Sequence, residues 1–537
     1  MKLAKHRLLY IPILLLFSLS FVDCAKKGTP SGGKKDTIPP VIVKTTPENY
    51  SINFNTDEIK ITFNEYIKLK DINKELIISP PLKYNPLITP LNTSKTIKIK
   101  LLDTLKENTT YSINFGNSIV DNNEGNAYKY YKYVFSTGNY IDSLKLTGSI
   151  KDAALLNPEK PISIVLYEVN ETFNDSVIYS EKPTYITTTN DTTNNFELNN
   201  LKEGKYLLLA LKEKSNDYIF QPNTDKIGFI NEYITLPTDS VYDITLFKEV
   251  PDYRILKPKH ESKNHILFPF EGTTDSLTLD LISQMPKDYE YIYFKDSKTD
   301  TIHYWFKPSV ELDSLQFVAK NKSKIDTLTA RMRNLFKDSL KLTPVNSTVI
   351  TVNDTLKLQG NTPLINFNSE NIKIIDKDST QITAITKIRK DINIAEIIFP
   401  KTYEQTYNVK VLPNAITDFF GATNDTLSYI FRTKAASDYG TLSLTLKNAK
   451  EFPFIVQLVN EKYAVVAEKY IQENEVILFK DLNPSFYYIR LVIDENANKR
   501  WDSGNFLNRV SPEKIIYYPT KIEVRANWDL KETFILE

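Results

Sequence analysis

Cysteine is almost missing from this chain: Cys24 is the only one in 537 residues. No disulfide can close within the chain, so each domain has to be held by its own apolar core. Histidine is nearly as scarce. Beyond His6 only His260, His265 and His303 remain, and no Cys, Asp or Glu around them has the spacing of a zinc motif. Packing or surface histidines are the expectation. A G-x-S-x-G elbow is missing, and with it support for a Ser-His-Asp hydrolase. Carboxylates abound, so sequence alone leaves a glycosidase pair open. Acids in turns need no catalytic role, however, and the expectation is a protein that is not an enzyme. An excess of one charge sign is missing too, with 67 Lys and Arg against 66 Asp and Glu. Nucleic acid is therefore not an expected partner. Long helical patterns are lacking; only residues 324–337, KIDTLTARMRNLFK, read as a brief helix.

What is present is strand after strand. EIKITFNEYI, KTIKIKLL, TYSINFGN, EYITL, TYNVKVLP and TLSLTLK alternate apolar and polar residues with period two and are rich in Ile, Tyr, Phe, Thr and Val. Clusters of Asn, Asp, Ser, Thr and Pro separate them at intervals of ~10 residues. With 41% hydrophobic and 25% charged residues the composition is globular. The pattern predicts a row of antiparallel β-sandwiches.

At the N-terminus Lys2, Lys5 and Arg7 precede a mostly apolar run from Leu8 to Val22, LLYIPILLLFSLSFV, which ends just before Cys24. The run falls short of the ~20 residues a spanning helix needs and has the layout of a secretory signal core. It resembles the lipobox of bacterial lipoproteins, in which the cysteine becomes the acylated first residue of the mature chain. Asp23 departs from the small residue usual at that place. The resemblance implies a covalent lipid at Cys24; the alternative is a free thiol in an uncleaved, membrane-embedded tail. One acyl chain holds a membrane marginally, at ~0.8 kcal/mol per buried methylene, whereas the two or three chains of a lipoprotein anchor it stably. Ala25, Lys26 and Lys27 follow with no Asp among them. By resemblance to known sorting rules this favours the outer membrane, with the periplasmic or cell-surface face left open. The segment AKKGTPSGGKKDTI then reads as a flexible tether.

Internal repeats organise the rest. DTIPPVIVKTTPEN leads into IKITFNEYI and later into LKENTTYSINFGNSIVDNNEGNAYKYYKYVFSTG. Pro39 and Pro40, Phe63, Leu105 and Tyr111, the loop Asp121 to Asn126, and Phe135 to Thr137 stand in an order that resembles the SbsA-type bacterial Ig-like domain of envelope proteins. TYNVKVLPNAITDFFGATNDTLSYIFRTK repeats the tyrosine strand, the Asp418 to Gly421 turn and the Phe431 to Thr433 ending. The segment after each copy also recurs: LKLTGSIKDA, PISIVLYEV and NNFELNNLKEGKYLLLALKEKSNDYIFQP match GTLSLTLKNA, FPFIVQLVNE and VILFKDLNPSFYYIRLVIDENANKRWDSGN. These resemble prealbumin-like or carboxypeptidase-regulatory-like sandwiches.

The expected fold class is therefore all-β, with tandem Ig-like and prealbumin-like antiparallel β-sandwiches in an elongated multidomain array. The expected order is a lipoprotein signal peptide at 1–23, a tether at 24–36, an Ig-like domain at 37–138 and a prealbumin-like sandwich at 143–249. A β-rich domain of unrecognised family at 252–335, a degenerate Ig-like domain at 340–435 and a second prealbumin-like sandwich at 438–537 complete it.

Three local patterns are candidate sites. In DENANKRWDSGN, Asp494, Asn496, Asn498, the Arg500 carbonyl and Asp502 occupy positions 1, 3, 5, 7 and 9 of a calcium loop. Lys499 replaces its turn glycine and Asn505 its closing glutamate, so the competing reading is a hydrogen-bonded Asn/Asp turn. No other cofactor is expected. YKYYKYVF at 128–135 interleaves aromatics with cations, as a sugar, nucleic-acid or protein site would; the preferred reading is a strand with one packed face and one solvated lysine face. Asp followed by Ser or Thr and an apolar residue recurs at Asp142, Asp239, Asp275, Asp313, Asp354 and Asp425. It is similar to an O-glycosylation signal of Bacteroidota-like envelope proteins, and a turn followed by a strand start gives the same words. The expected function is a non-enzymatic outer-membrane scaffold touching envelope proteins, possible partners including an outer-membrane barrel of an assembly or transport complex. The alternative is a surface adhesin or glycan-binding protein, and a weaker rival a glycan-processing enzyme.

Overall fold

Glu58–Leu69 shows how the period-two pattern becomes a sheet: Ile59, Ile61, Phe63 and Ile67 are buried on one face, while Lys60, Asn64 and Tyr66 are exposed. The computed structural model describes residues 35–189, 192–274, 276–296 and 298–536, and the chain divides into two compact units, 1–143 and 144–537. In the first unit one sheet has the order Ile42–Thr46, Glu58–Leu69, Thr93–Lys100, Leu87–Thr89, and it faces a sheet of Ile77–Ser79, Thr110–Asn114 and Lys132–Ser136. Ile59, Ile61, Phe63, Ile97, Tyr111 and Phe135 fill the space between them. The end of Glu58–Leu69 changes partner, Ile67 pairing with Asp121 and Leu69 with Ile119.

The second unit contains four sandwiches, each with its own apolar cluster. The first sets Asn195–Leu201, Leu144–Asp152 and Val241–Leu246 against Tyr185–Thr188, Ser163–Glu168, Gly204–Lys212 and Lys226–Phe229. The last sets Ile477–Leu482, Gly440–Lys447 and Asp529–Ile535 against Val465–Ile471, Phe454–Val459, Ser485–Ile493 and Ile515–Tyr517. The two topologies are the same. In both, the opening and closing strands pair in parallel, and a buried tyrosine donates its hydroxyl hydrogen to a carbonyl four residues back: Tyr206 to Lys202 at 3.1 Å and Tyr487 to Asn483 at 2.8 Å.

The sandwich of Leu342–Pro344 to Leu427–Thr433 repeats the Ig-like order of the first unit, with Leu342–Pro344, Leu356–Gly360, Ile394–Ile398 and Ile385–Arg389 in one sheet. Its tyrosine behaves as its counterpart does. Tyr111 accepts the Lys106 N–H at 2.9 Å and Tyr407 the Thr402 N–H at 2.7 Å, each from its hydroxyl oxygen. The aspartate turns match as well. Asp121 Oδ1 accepts the N–H groups of Asn123 and Glu124, and Asp418 Oδ1 those of Phe420 and Ala422. Gly125 and Gly421 close these turns at φ of 81° and 80°, where a side chain would be strained. Burial works against ionisation of Asp121, but the N–H groups of Asn126, Glu124 and Asn123 bring its carboxyl below the usual range.

The central sandwich packs His265–Glu271, Thr301–Lys307 and Glu290–Lys295 over Thr278–Leu281, Ser314–Asn321 and Lys324–Arg331. The brief helix expected at 324–337 is not formed. Lys324–Arg331 is an edge strand paired with Ser314–Asn321 over eight residues. The alternation of Thr327, Leu328, Thr329 and Ala330 suits a sheet, and the partner strand outweighs the helical propensity of residues 330–333.

Candidate functional site

The loop from Asp494 to Asn505 is tied to itself. Asp494 is wholly buried, and its two carboxylate oxygens accept the N–H groups of Asn498 at 3.0 Å and Lys499 at 2.8 Å. Asn496 Oδ1 accepts the Asn498 N–H, and Asn498 Oδ1 accepts the Arg500 N–H. Those bonds orient both amides, so their NH2 groups face Asp502 Oδ2 at 2.5 and 2.6 Å. Calcium would need oxygens, not amide hydrogens, facing inward. Lys499 takes the glycine-like conformation itself, at φ 65°. Glu513, outside the motif, accepts the N–H groups of Glu495 at 3.0 Å and Asp502 at 2.9 Å, and burial raises its carboxyl above the usual range. As folded, the residues fit a hydrogen-bonded turn and not a cation. Asp494→Ala is expected to destabilise the second unit by about 1–3 kcal/mol, because the loop N–H groups of Asn498 and Lys499 lose the buried carboxylate that holds them. EDTA and added calcium are expected to leave the melting temperature unchanged; a chelator-dependent fall in Tm would instead assign the loop to an ion.

The continuation of this loop reaches the first sandwich of the same unit. Ser503 Oγ donates to the Lys248 carbonyl, and the Phe506 N–H donates to Glu249 Oε1 at 2.5 Å. The Phe506 ring is wholly buried, edge-on to Phe229 at 5.6 Å. Arg509 pairs with Asp175 at 2.7 Å and lies over the rings of Phe506 and Tyr233. A second contact forms where Arg490 Nη1 and the Tyr517 hydroxyl both donate to the Ala154 carbonyl, at 3.0 and 2.5 Å. An open row would keep the first and last sandwiches of this unit apart; here they are clasped together.

The other singled-out residues fall into packing roles or lie outside the described residues. The three histidines are half or fully buried in the central sandwich. His265 lies flat on Trp305, ring centroids 3.7 Å apart, with its Nε2 3.0 Å from His303 Nδ1, while His260 Nδ1 accepts the Arg333 N–H at 3.0 Å. In YKYYKYVF the strand begins only at Lys132. Tyr128 and Tyr131 pack edge to face in the preceding turn, and Tyr133 donates to the Pro47 carbonyl at 2.9 Å. Beyond Asp142, Asp239, Asp313, Asp354 and Asp425 a strand begins within two residues, as a turn and strand start require. Asp275 and Cys24 lie outside the described residues. Among the described residues no group of three or more His, Cys, Asp or Glu is placed to hold a metal ion, and no helix is long and apolar enough to cross a membrane.

Residues 36–137 match the family model described as a bacterial Ig-like domain. No curated protein matches the chain. Among solved structures, domains 1–6 of the surface layer protein SbsC align over 90% of this chain and 67% of that one, at 13% identity and a TM-score of 0.16. The four N-terminal Ig domains of a Dscam1 isoform align over 93% of this chain and 100% of that one, at 9% identity and a TM-score of 0.15. A Salmonella alpha-2-macroglobulin reacted with methylamine aligns over 87% of this chain and 44% of that one, at 9% identity and a TM-score of 0.14. The chain carries a bacterial Ig-like domain within an all-β, tandem-sandwich architecture.

Proposed function

We propose that the protein is a non-enzymatic, lipid-anchored outer-membrane protein whose sandwiches form a scaffold for other envelope proteins, among them an outer-membrane barrel of an assembly or transport complex. The observation that carries this reading is the clasp between the first and last sandwiches of residues 144–537. Buried aromatic contacts and an Arg509–Asp175 pair hold their surfaces in one arrangement, as a docking platform requires. The lipid at Cys24 supplies the anchor and the Lys-rich segment after it the reach; no other cofactor enters. Purification of the tagged protein from its native envelope in mild detergent, followed by mass spectrometry, is expected to recover a barrel protein with the native chain and to lose it with Cys24→Ser. Recovery of the anchored protein alone would overturn the scaffold reading in favour of a surface adhesin or glycan-binding protein.

A further inference from the structure

Within residues 144–537, the first sandwich, the central sandwich and the loop carrying Leu507 surround an open cleft of about 930 Å3. Its size is that of a ligand site. Tyr179 and Phe220, with ring centroids 5.7 Å apart, form one aromatic wall, and Tyr253 another. Glu249, Asp252, Glu271 and Asp326 line the cleft against two cations, Arg254 and Lys324. Arg254 is taken up by Glu271, at 3.0 and 3.1 Å, and Lys324 Nζ donates to the Tyr253 carbonyl at 3.0 Å. Three carboxylates are left facing one ammonium group.

Two buried polar groups at the cleft have bonding capacity to spare. Tyr253 is 9% exposed, and its hydroxyl is buried with no hydrogen-bond partner, a state that buried phenols rarely keep. Glu249 is 5% exposed and accepts the Phe506 N–H through Oε1. Burial, with Asp252 adding to it, raises the Glu249 carboxyl above the usual range, so a neighbouring positive charge would favour its ionised form.

We propose that this cleft binds an organic cation on an apolar stem, namely a lysine or arginine side chain of an extended polypeptide, between Tyr179, Tyr253 and the carboxylates of Asp252 and Asp326. The ring faces attract the cation, and the carboxylates give it charge-assisted hydrogen bonds. Val250 and Leu507, both about half exposed at the rim, cover the stem. An anion would meet the carboxylate excess, and a neutral ligand would leave it uncompensated. A free polyamine shares the cation's chemistry. The site deepens the scaffold reading by supplying one contact point, and it stands on the cleft's own geometry.

Titration calorimetry on the full-length protein in detergent separates these cases with three probes: acetyl-Leu-Arg-Leu-Arg-amide, the same peptide with citrulline for arginine, and spermidine. The arginine peptide is expected to bind once per chain, at least about tenfold more tightly than its citrulline counterpart. An Asp252→Asn, Asp326→Asn double variant is expected to lose about tenfold in affinity at unchanged melting temperature. Tyr253→Phe is expected to weaken binding while keeping or raising Tm, since it removes an unsatisfied hydroxyl. Peptide binding without spermidine binding assigns the site to a polypeptide; spermidine binding as tightly as the peptide overturns that in favour of a free polyamine. Equal binding of the two peptides, no loss in the double variant, or no heat from any probe overturns the site altogether. Such failures leave the co-purification result standing, and a failed co-purification beside intact peptide binding would remove the scaffold reading and keep the cleft.

Discussion

Phe506→Ala is expected to destabilise residues 144–537 by about 3–5 kcal/mol and to split their thermal unfolding, so that the first and last sandwiches melt apart. The Phe506 ring is wholly buried yet lies outside the cluster that fills its own sandwich. It is packed against Phe229 and beneath Arg509. Deleting it opens a cavity between the sandwiches, admits water to Glu249, and turns the Arg509–Asp175 contact into a surface ion pair of ~0–1 kcal/mol. Differential scanning calorimetry with limited proteolysis near residues 250–253 reads both effects. Phe336→Ala is the control: that ring is 95% exposed, and its loss is expected to change stability by about 0.5 kcal/mol or less. A Phe506→Ala variant that melts like the control would mean that the clasp carries no stability.

The second large effect is a pH dependence centred on His265. Its ring lies between Trp305 and His303, and burial, with His303 and His260 adding like charge, brings its pKa down to about 3. His303 Nε2 lies 3.5 Å from Asp296 Oδ2. This network places a hydrogen on His303 Nε2 and has His265 Nε2–H donate to His303 Nδ1. The sign follows from the depressed value. Below pH ~6.5 the unfolded chain binds a proton at this position that the folded chain refuses until pH ~3, so stability is full above ~6.5 and falls as acid is added. Between pH ~7.5 and ~4.5 the loss from this residue is about 2–3 kcal/mol. His265→Phe is expected to be less stable than the native protein at neutral pH, where His303 loses a donor, and to lose less on acidification. Urea melts at the two pH values check this; parallel losses in the two proteins would mean that His265 is not the source.

Much of the architecture was readable in the sequence because sheets leave a period of two. The pairing of copies was readable because Tyr111 and Tyr407, and Asp121 and Asp418, do the same local work five residues or fewer from their partners. The reading failed at Lys324–Arg331, where residues 330–333 have the composition of a helix but no helix forms and the partner strand decides. The candidate loop was readable as an Asn/Asp turn or an ion site. Which of the two it resembles depended on amide orientations, set by N–H groups that no residue spacing reveals. Glu249, Tyr253 and Phe506 went unnoticed because their roles depend on contacts across more than 200 residues, as between Glu249 and Phe506, or on a cavity between domains. Periodicity carries no trace of either.

Leu144–Asp152 runs parallel to Val241–Leu246 along six paired residues, and Gly440–Lys447 parallel to Asp529–Ile535 along seven. The polypeptide thus enters each of these sandwiches at one pole and leaves at the other. Tension along the chain would slide the two strands past each other, loading every rung of the ladder at once instead of peeling them off singly. Unravelling under such a pull is governed by the unfolding rate, and a shear-loaded ladder makes that rate slow.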